Sequence, residues 1–317
     1  MNFKFWMTIA LIPVLIQCTN NNTKVEQKFE PLDSIAFNQT LIDLGEKLFF
    51  DPRLSINNTV SCASCHHPDK AFTDGKKRSI GIHQRVGKRN APSLWNVKNQ
   101  DLMMWDGGVR SLEHQAIVPL QDTNEMGVSI NDLFPKLAEI QYYDSLAKLL
   151  YDRSFDPFVL TRALSAFQRN IYQENSEYDE WKNKGVLKDS ALLRGYSLFN
   201  EKLNCAQCHS GSNFTNNSMQ NKGLYVEYED LGRFNITLDS ADIGKFKVPT
   251  LRNVGITAPY MHDGSFESLY EVIMHYEKGG KSNPNKSELI QPFVLTNQER
   301  EDLLYFLNAL TDQRYVN

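Results

Sequence analysis

The stretch CASCH at residues 62–66 decides the architecture of this chain, and it recurs as CAQCH at residues 205–209. Cys-x-x-Cys-His is the attachment pattern of c-type haem, in which two thiols bond one porphyrin and the adjacent His ligates its iron. A zinc site or a redox dithiol also pairs cysteines, but neither requires a His directly after the second Cys. The pattern therefore predicts two covalently bound haems, held by Cys62, Cys65 and His66 and by Cys205, Cys208 and His209.

Length and charge limit the class of protein. A chain of 317 residues is long enough for about two domains with a sizeable core. The formal net charge of −4 gives no basic footprint, so we expect no nucleic-acid partner. A mildly acidic surface would suit a basic electron-transfer partner.

The first residues predict export. Lys4 precedes a short apolar stretch at residues 5–16, which is typical of a signal peptide and too short to span a membrane. Cys18, the one cysteine outside the two haem motifs, follows this stretch as in a bacterial lipoprotein. An ordinary secretory signal that discards Cys18 is the alternative. We predict a periplasmic protein, anchored to the membrane through a lipidated Cys18.

The sequence after each haem motif is repeated. PSLWNV at residues 92–97 mirrors PTLRNV at 249–254, and WDG at 105–107 mirrors HDG at 262–264. Residues 249 and 92 differ by 157, as do residues 262 and 105. A Gly-x-x-Leu-Phe sequence also precedes each motif, starting at Gly45 and Gly195. The shared offset predicts two copies of one haem-binding unit.

Hydrophobic spacing predicts a mainly α fold with two cytochrome c-like domains, each with one covalently bound haem. Helices are expected over residues 40–50, 131–151, 157–171 and 296–310, with 131–171 bridging the two copies. Residues 217–247 are polar and aperiodic, which indicates a long loop with at most a short hairpin. The expected division is a signal peptide at 1–18, a linker at 19–39, and haem domains at 40–185 and 186–317.

The two copies differ on the face of each haem opposite the motif His. Met274, His275 and Tyr276 lie on a helix predicted to start near Phe266, and any of them could reach the second iron. The position 157 residues before Tyr276 is Pro119, which has no side-chain donor atom. If Tyr276 closes the second haem, the first stays open to peroxide or oxygen and the second only passes electrons.

One loop residue is a further candidate ligand of the first haem. His83 follows His66 by 17 residues in a loop with Gly and Arg, from which a His can move onto an iron and off again. It could equally be a solvated loop residue. His114, His67 and Met261 are interpreted as structural or solvent-facing, because nothing in the sequence places them at an iron.

From Leu44 to Leu310 the chain resembles the bacterial di-haem cytochrome c peroxidase family. Besides the haem motifs, the matching pieces are RNAPS at 89–93, WDG at 105–107, FKVPTLRN at 246–253 and APYMHDG at 258–264. The resemblance implies a peroxidatic N-terminal haem and an electron-transfer C-terminal haem. It implies reduction of hydrogen peroxide to water with electrons from a small cytochrome c or cupredoxin, and it leaves a homodimer open.

The resemblance also implies roles for single residues. His83 matches the displaceable distal His of the peroxidatic haem, and Trp105 matches a Trp that bridges the haems for electrons. Glu125 and Gln115 match polar residues of the peroxide pocket, where Glu125 would move a proton between the peroxide oxygens. By residue type alone, Trp105 could be a core residue and Glu125 a solvated loop carboxylate.

A calcium ion between the domains is implied in the same way. Asn90, Thr257 and Pro259 match its ligands, and side-chain and backbone oxygens suit this hard cation. The spacing of these residues would not by itself have indicated the ion.

Tyr276 departs from the Met that many peroxidases of the family place over the electron-transfer haem. A Tyr here resembles the related di-haem enzyme that matures the tryptophan tryptophylquinone cofactor of methylamine dehydrogenase. A phenolate is an anionic donor and lowers the haem potential relative to Met. The alternatives to a peroxidase are a protein-modifying di-haem oxidase that uses high-valent haems, and a plain electron-transfer cytochrome. Retention of His83 favours the peroxidase.

Overall fold

Helices form most of the regular structure in residues 33–172 and 174–316, the part of the chain that the computed structural model describes. The predicted signal peptide and Cys18 lie outside these residues. The elements are α1 (Ser34–Phe49), α2 (Leu112–Gln115), α3 (Val118–Gln121), α4 (Ile130–Ala138), α5 (Gln141–Tyr151), α6 (Pro157–Asn170), α7 (Glu177–Lys184), α8 (Ser190–Ser197), β1 (Met219–Gln220), α9 (Phe234–Thr237), β2 (Phe246–Lys247), α10 (Leu269–Glu277) and α11 (Asn297–Asn308). The prediction of a mainly α fold is confirmed.

A close crossing of α1 and α6 organises the first core. A Cβ atom at Gly45 would lie 1.9 Å from the Ala163 carbonyl oxygen, so the two backbones can approach this closely only because residue 45 has no side chain. Leu44 and Leu48 of α1 are fully buried beside this crossing. The helix starts earlier than the predicted residue 40, because the Asp33 carboxylate accepts hydrogen bonds from the first free amides of the helix.

The second core repeats this arrangement with α8 and α11. A Cβ atom at Gly195 would lie 2.1 Å from the Asp302 carbonyl oxygen, and Phe306 is fully buried beside it. A capping box starts α11 at the predicted beginning of the helix, with Thr296 and Glu299 each bonded to the backbone of the other. The two Gly-x-x-Leu-Phe sequences therefore mark equivalent helix crossings.

The offset of 157 residues also reappears in the loops. An isolated antiparallel bridge joins Met103 to Val109, and its counterpart joins Tyr260 to Phe266. Both bridge residues of the second pair lie 157 positions after those of the first. The predicted internal duplication is confirmed by this repeated backbone geometry.

The helices expected to bridge the two copies instead belong to the first core. Apolar residues of α4, α5 and α6 share one buried cluster with α1. The reason is the α1–α6 crossing, which uses α6 where the second copy uses α11. The segment predicted as one helix over 131–151 is also broken, because Ile140 is extended between α4 and α5.

Residues 217–247 form the expected irregular segment. The strands β1 and β2 pair antiparallel, with Met219 opposite Lys247, and short helical turns lie between them. None of the helices within residues 33–172 and 174–316 is both long and apolar enough to cross a bilayer. The domain boundary between residues 185 and 186 stays a prediction.

Candidate functional site

The first haem motif, here called the first haem site (Cys62, Cys65, His66), forms a single tight turn. The amides of Cys65 and His66 both donate to the Cys62 carbonyl, at 3.2 and 3.0 Å. His66 Nδ1 lies 2.8 Å from the Phe72 carbonyl oxygen. Because a carbonyl can only accept, Nδ1 carries the proton and Nε2 keeps its lone pair for a metal. Burial lowers the pKa of His66, which also favours the neutral, ligating form.

The second haem site (Cys205, Cys208, His209) has the same geometry. The amides of Cys208 and His209 donate to the Cys205 carbonyl, at 3.2 and 3.0 Å, and His209 Nδ1 lies 3.1 Å from the Phe214 carbonyl oxygen. Burial lowers the pKa of His209 to about 4. None of the four motif cysteines forms a disulfide with another described residue, as attachment of each pair to a porphyrin requires. The residues at both sites therefore fit a c-type haem.

Glu125 lies beside the first haem site. Burial is the main cause that raises the pKa of Cys62 and of Cys65, and the negative charge of Glu125 adds to it, so its carboxylate is within electrostatic reach of both thiols. Burial is the main cause that raises the pKa of Glu125 to about 7, and repulsion from Asp122 adds to it. A half-buried carboxyl group that titrates near neutrality can act as both acid and base.

The loop that carries His83 is held directly on the backbone of Glu125. The Ile82 amide donates to the Glu125 carbonyl at 2.9 Å, and a Cβ atom at Gly81 would lie 2.1 Å from the Asn124 carbonyl oxygen. His83 itself is exposed, with a left-handed φ of 53°. The structure thus brings the His83 loop to Glu125 and places the imidazole at the surface.

The helices that follow WDG and HDG show where the two copies diverge. Ser111 caps α2 and Ser268 caps α10, again 157 residues apart. The helix α10 continues without a break to Tyr276, whereas α2 ends at Gln115 and Pro119 is the second residue of a separate helix, α3. Gln115 is half-buried, and its side chain makes no hydrogen bond to the residues that the structure describes.

Tyr276 faces the second haem site. Burial raises the pKa of its hydroxyl, and the thiols of Cys205 and Cys208 raise it further, which puts the phenol within reach of both. The neighbouring His275 is engaged elsewhere, because its Nε2 lies 3.0 Å from the Lys222 carbonyl oxygen. That nitrogen must donate to the carbonyl, which leaves only Nδ1 of His275 with a lone pair. The electrostatic contact of Tyr276 with both motif thiols favours Tyr276 as the residue that closes the second haem.

Tyr276 belongs to a group of apolar and aromatic side chains, here called the junction cluster. Its members are Trp105, Leu224, Tyr225, Tyr228, Phe246, Met261, Phe266, Val272 and Tyr276. Trp105 Nε1 donates to the Asn90 carbonyl at 2.8 Å, so the indole joins the first copy to the cluster. Met261, interpreted from sequence as structural, is buried in this cluster.

His262 is a residue of this region that sequence reasoning left unassigned. It is 2% exposed and stacks on the Phe246 ring, with the ring centroids 3.8 Å apart. Its carbonyl accepts from the Asn90 amide at 2.8 Å. The signal was the offset of 157, because His262 occupies the place of Trp105 in the second copy.

Arg89 ties the two copies together and was also left unassigned. It donates to both carboxylate oxygens of Asp230, at 2.6 and 2.9 Å, and to Asp106 at 2.6 Å. These carboxylates raise the pKa of the guanidinium. Asp106 belongs to the WDG motif, so the network fixes the loop that carries Trp105.

Residues 75–76 lie beside both segments that carry the residues matched to calcium ligands. Asn90 Nδ2 donates to the Lys76 carbonyl at 2.8 Å, which leaves its Oδ1 to accept, and a Cβ atom at Gly75 would lie 3.9 Å from the Ala258 carbonyl oxygen. Ala258 stands between Thr257 and Pro259. Within residues 33–172 and 174–316, no group of three His, Cys, Asp or Glu residues could hold a metal ion. An ion here would depend on neutral oxygen ligands.

Similarity to known proteins extends over the segments that contain both haem sites. The sequence profile of di-haem cytochrome c peroxidase matches residues 39–186, and the profile of cytochrome c matches residues 192–311. Methylamine utilization protein MauG of Methylorubrum extorquens is 36% identical over 279 residues, covering 85% of this chain and 77% of that protein. Cytochrome c551 peroxidase of Nitrosomonas europaea is 31% identical over 317 residues, covering 96% and 91%.

A solved structure shares the whole arrangement. The crystal structure of a MauG-like protein associated with microbial copper homeostasis is 33% identical to this chain. It has a TM-score of 0.83 and covers 93% of this chain and 97% of its own. Relatives named as peroxidases and relatives named as MauG thus match at similar identity.

Proposed function

The chain belongs to the di-haem cytochrome c peroxidase family, and we propose that it reduces hydrogen peroxide to water at the first haem site. Electrons would come from a small cytochrome c or cupredoxin and enter at the second haem site. The observation that carries this proposal is the difference between the two sites. Glu125, with a pKa of about 7, lies beside the first, whereas Tyr276 lies beside the second.

Each residue matched to the peroxide pocket has a part in this proposal. Bound haem would supply the redox-active iron that takes up electrons and accepts the peroxide. Glu125 would take a proton from one peroxide oxygen and return it to the other, and its pKa near 7 provides both forms at neutral pH. Gln115 would orient the peroxide by hydrogen bonding. His83 would cover the site and leave when peroxide is to enter.

The junction cluster is the proposed connection between the sites. Trp105, like Tyr276, packs against the buried residues of this cluster, and it bonds to Asn90 of the first copy, so one side chain contacts both halves. Buried aromatic side chains shorten the gap that an electron must cross. Tyr276 would close the second site to peroxide and keep it as the electron entry.

A second candidate is an oxidase that modifies a side chain of a protein partner. Tyr276 favours it, because an anionic oxygen donor stabilises the oxidised states of a haem. MauG proteins are among the relatives of this chain. A plain electron carrier is less well supported, because Pro119 offers the first site no donor where Tyr276 serves the second.

One kinetic experiment separates these functions. The purified protein with both haems is mixed with hydrogen peroxide and a reduced small cytochrome c, before and after pre-reduction of the protein. The peroxidase reading predicts fast, peroxide-dependent oxidation of the cytochrome over many turnovers. The oxidase reading predicts slow cytochrome oxidation, and a carrier would show no peroxide-dependent step. Either of the last two results would contradict the proposed peroxidase.

We also propose a calcium ion held by Asn90, Thr257 and Pro259, which would stabilise the contact between the two copies. The Asn90 side chain supports this site, because its Nδ2 donates to the Lys76 carbonyl and its Oδ1 can therefore serve as a ligand. Periplasmic location, lipidation of Cys18 and a homodimer stay predictions from the sequence.

A further inference from the structure

We propose that an exposed basic hairpin at residues 76–88 is the docking surface for an acidic electron-donor protein. This inference deepens the proposed function, since it rests on the need for a protein donor. The surface, here called the basic hairpin, carries five exposed cations: Lys76, Lys77, Arg78, Arg85 and Lys88.

Backbone pairing brings these cations together. Ile80 forms a bridge with Val86, and the Gly87 amide donates to the Ser79 carbonyl at 2.8 Å. The two arms therefore run antiparallel, so Arg78 lies opposite Lys88, with Lys76 and Lys77 next to Arg78 on the same arm and Arg85 near the turn. The sequence separates the two groups by a polar and apolar stretch that contains His83.

Among residues 33–172 and 174–316, no carboxylate forms an ion pair with any of the five cations, although ion pairs are common elsewhere in the chain. The chain has a net charge of −4, so the remainder of the chain carries −9. An acidic partner is thus repelled by most of the surface and attracted here, which fixes its orientation as well as its encounter rate.

The hairpin also offers apolar contact. Ile80 and Val86, the bridged pair, are 39% and 58% exposed. An open cavity of about 440 Å³ is lined by Lys77, Arg78 and Val86. A cation rim around exposed apolar side chains suits a folded protein with an acidic face better than it suits a bare anionic polymer or lipid surface.

The surface lies next to the route that leads to the second haem site. The Lys77 backbone packs on Gly264, where an added Cβ would lie 2.7 Å from the Lys77 Cα. Arg78 acts electrostatically on Tyr225, whose hydroxyl donates to Asp263 at 2.6 Å. Tyr225 belongs to the junction cluster with Tyr276. A donor seated on the hairpin therefore stands beside the cluster that reaches the proposed electron entry.

A charge-reversal experiment tests this surface. Lys77→Glu/Arg78→Glu is compared with Lys182→Glu/Lys184→Glu, which reverses two exposed lysines of α7. Each holoprotein is assayed for peroxide turnover with a reduced acidic cytochrome c, a reduced basic cytochrome c and an uncharged small-molecule reductant. Haem absorbance confirms that each variant is folded and loaded.

We expect the hairpin variant to lose about 10-fold or more in kcat/KM with the acidic cytochrome at low salt, because charge steering contributes this much or more. Its rate with the basic cytochrome should rise, its rate with the small reductant should stay unchanged, and the α7 variant should behave as the wild type. An equal loss of kcat/KM in both variants, or no loss in the hairpin variant, overturns the proposal that the basic hairpin is the docking surface.

The remaining outcomes separate this proposal from the proposed function. Absence of turnover with every reductant contradicts the peroxidase. Calorimetric titration with the acidic cytochrome then still tests docking, which predicts weaker binding only in the hairpin variant. If vesicles of phosphatidylglycerol and phosphatidylcholine bind the wild type but not the hairpin variant, while cytochrome rates are the same in both, the surface binds lipid and the donor proposal is overturned.

Discussion

Replacement of Glu125 by Gln should remove both the peroxide activity and its dependence on pH. Gln has nearly the same size and can still accept and donate hydrogen bonds, but it cannot carry a proton between two oxygens. Loss of a positioned acid–base group costs about 10²- to 10⁴-fold in rate. Both haem absorption bands should remain, because Glu125 holds no metal.

The pKa of Glu125 sets the shape of the pH profile. With the ordinary value of 4.5, about 0.3% of the carboxyl groups would be protonated at pH 7, whereas with a pKa of about 7 about half are protonated. The first proton transfer removes a proton from peroxide and needs the carboxylate. The kcat/KM for peroxide should therefore rise with pH, reach half its maximum near pH 7 and level off above it.

Asp122→Asn provides the matched second variant. The Asp122 charge contributes to raising the pKa of Glu125, so its removal should move the midpoint of the profile towards acid pH. Burial is the larger cause, so the midpoint should stay above 4.5. Steady-state peroxide turnover is measured between pH 4.5 and 9 for the wild type, Glu125→Gln and Asp122→Asn. A Glu125→Gln protein that keeps the wild-type rate and midpoint would refute the role of this carboxyl group.

Three further predictions concern the second site and the fold. Tyr276→Met should raise the midpoint potential of the second haem, because a neutral thioether replaces an anionic donor. Spectroelectrochemical titration measures this potential, and an unchanged value would exclude Tyr276 as a ligand. Gly195→Ala should lower the free energy of unfolding, measured by urea titration, by about 1–3 kcal/mol, since its Cβ would lie 2.1 Å from a carbonyl oxygen. Gly87→Ala is the control, and it should change this free energy little because its nearest contact would be at 3.4 Å. Asp179→Asn should cost about 3–5 kcal/mol in that assay, because it removes the close, buried carboxylate partner of Arg252 and leaves only Glu174 at 3.9 Å, and a cost below 1 kcal/mol would contradict this.

The sequence was informative wherever chemistry fixes the spacing of residues. Two thiols and one imidazole must meet a single porphyrin, so residues 62–66 and 205–209 could be recognised without a structure. The duplication was equally accessible, because the backbone of each copy needs the same turns at the same offset. The correspondence between Tyr276 of the second copy and Pro119 of the first followed from that offset, and the break between α2 and α3 agrees with it.

Contacts between distant segments could not be predicted. The role of α6 in the first core depends on how closely Gly45 approaches Ala163, and residues 118 positions apart carry no mutual signal in one sequence. The burial of Glu125, and hence its titration near neutrality, depends on the loop at Gly81 that packs on it. The basic hairpin was hidden by the net charge, which averages its five cations against carboxylates elsewhere.

Ligand binding to the oxidised protein tests the difference between the two sites most directly. Cyanide is titrated into the ferric protein, and electron paramagnetic resonance records the signal of each haem. One haem should change its signal as cyanide binds, and the other should keep the signal of a haem with two protein ligands. Binding of cyanide to both haems, or to neither in a His83→Gly variant that cannot cover the first site, would contradict the assignment of a first site open to ligands and a second site closed by Tyr276.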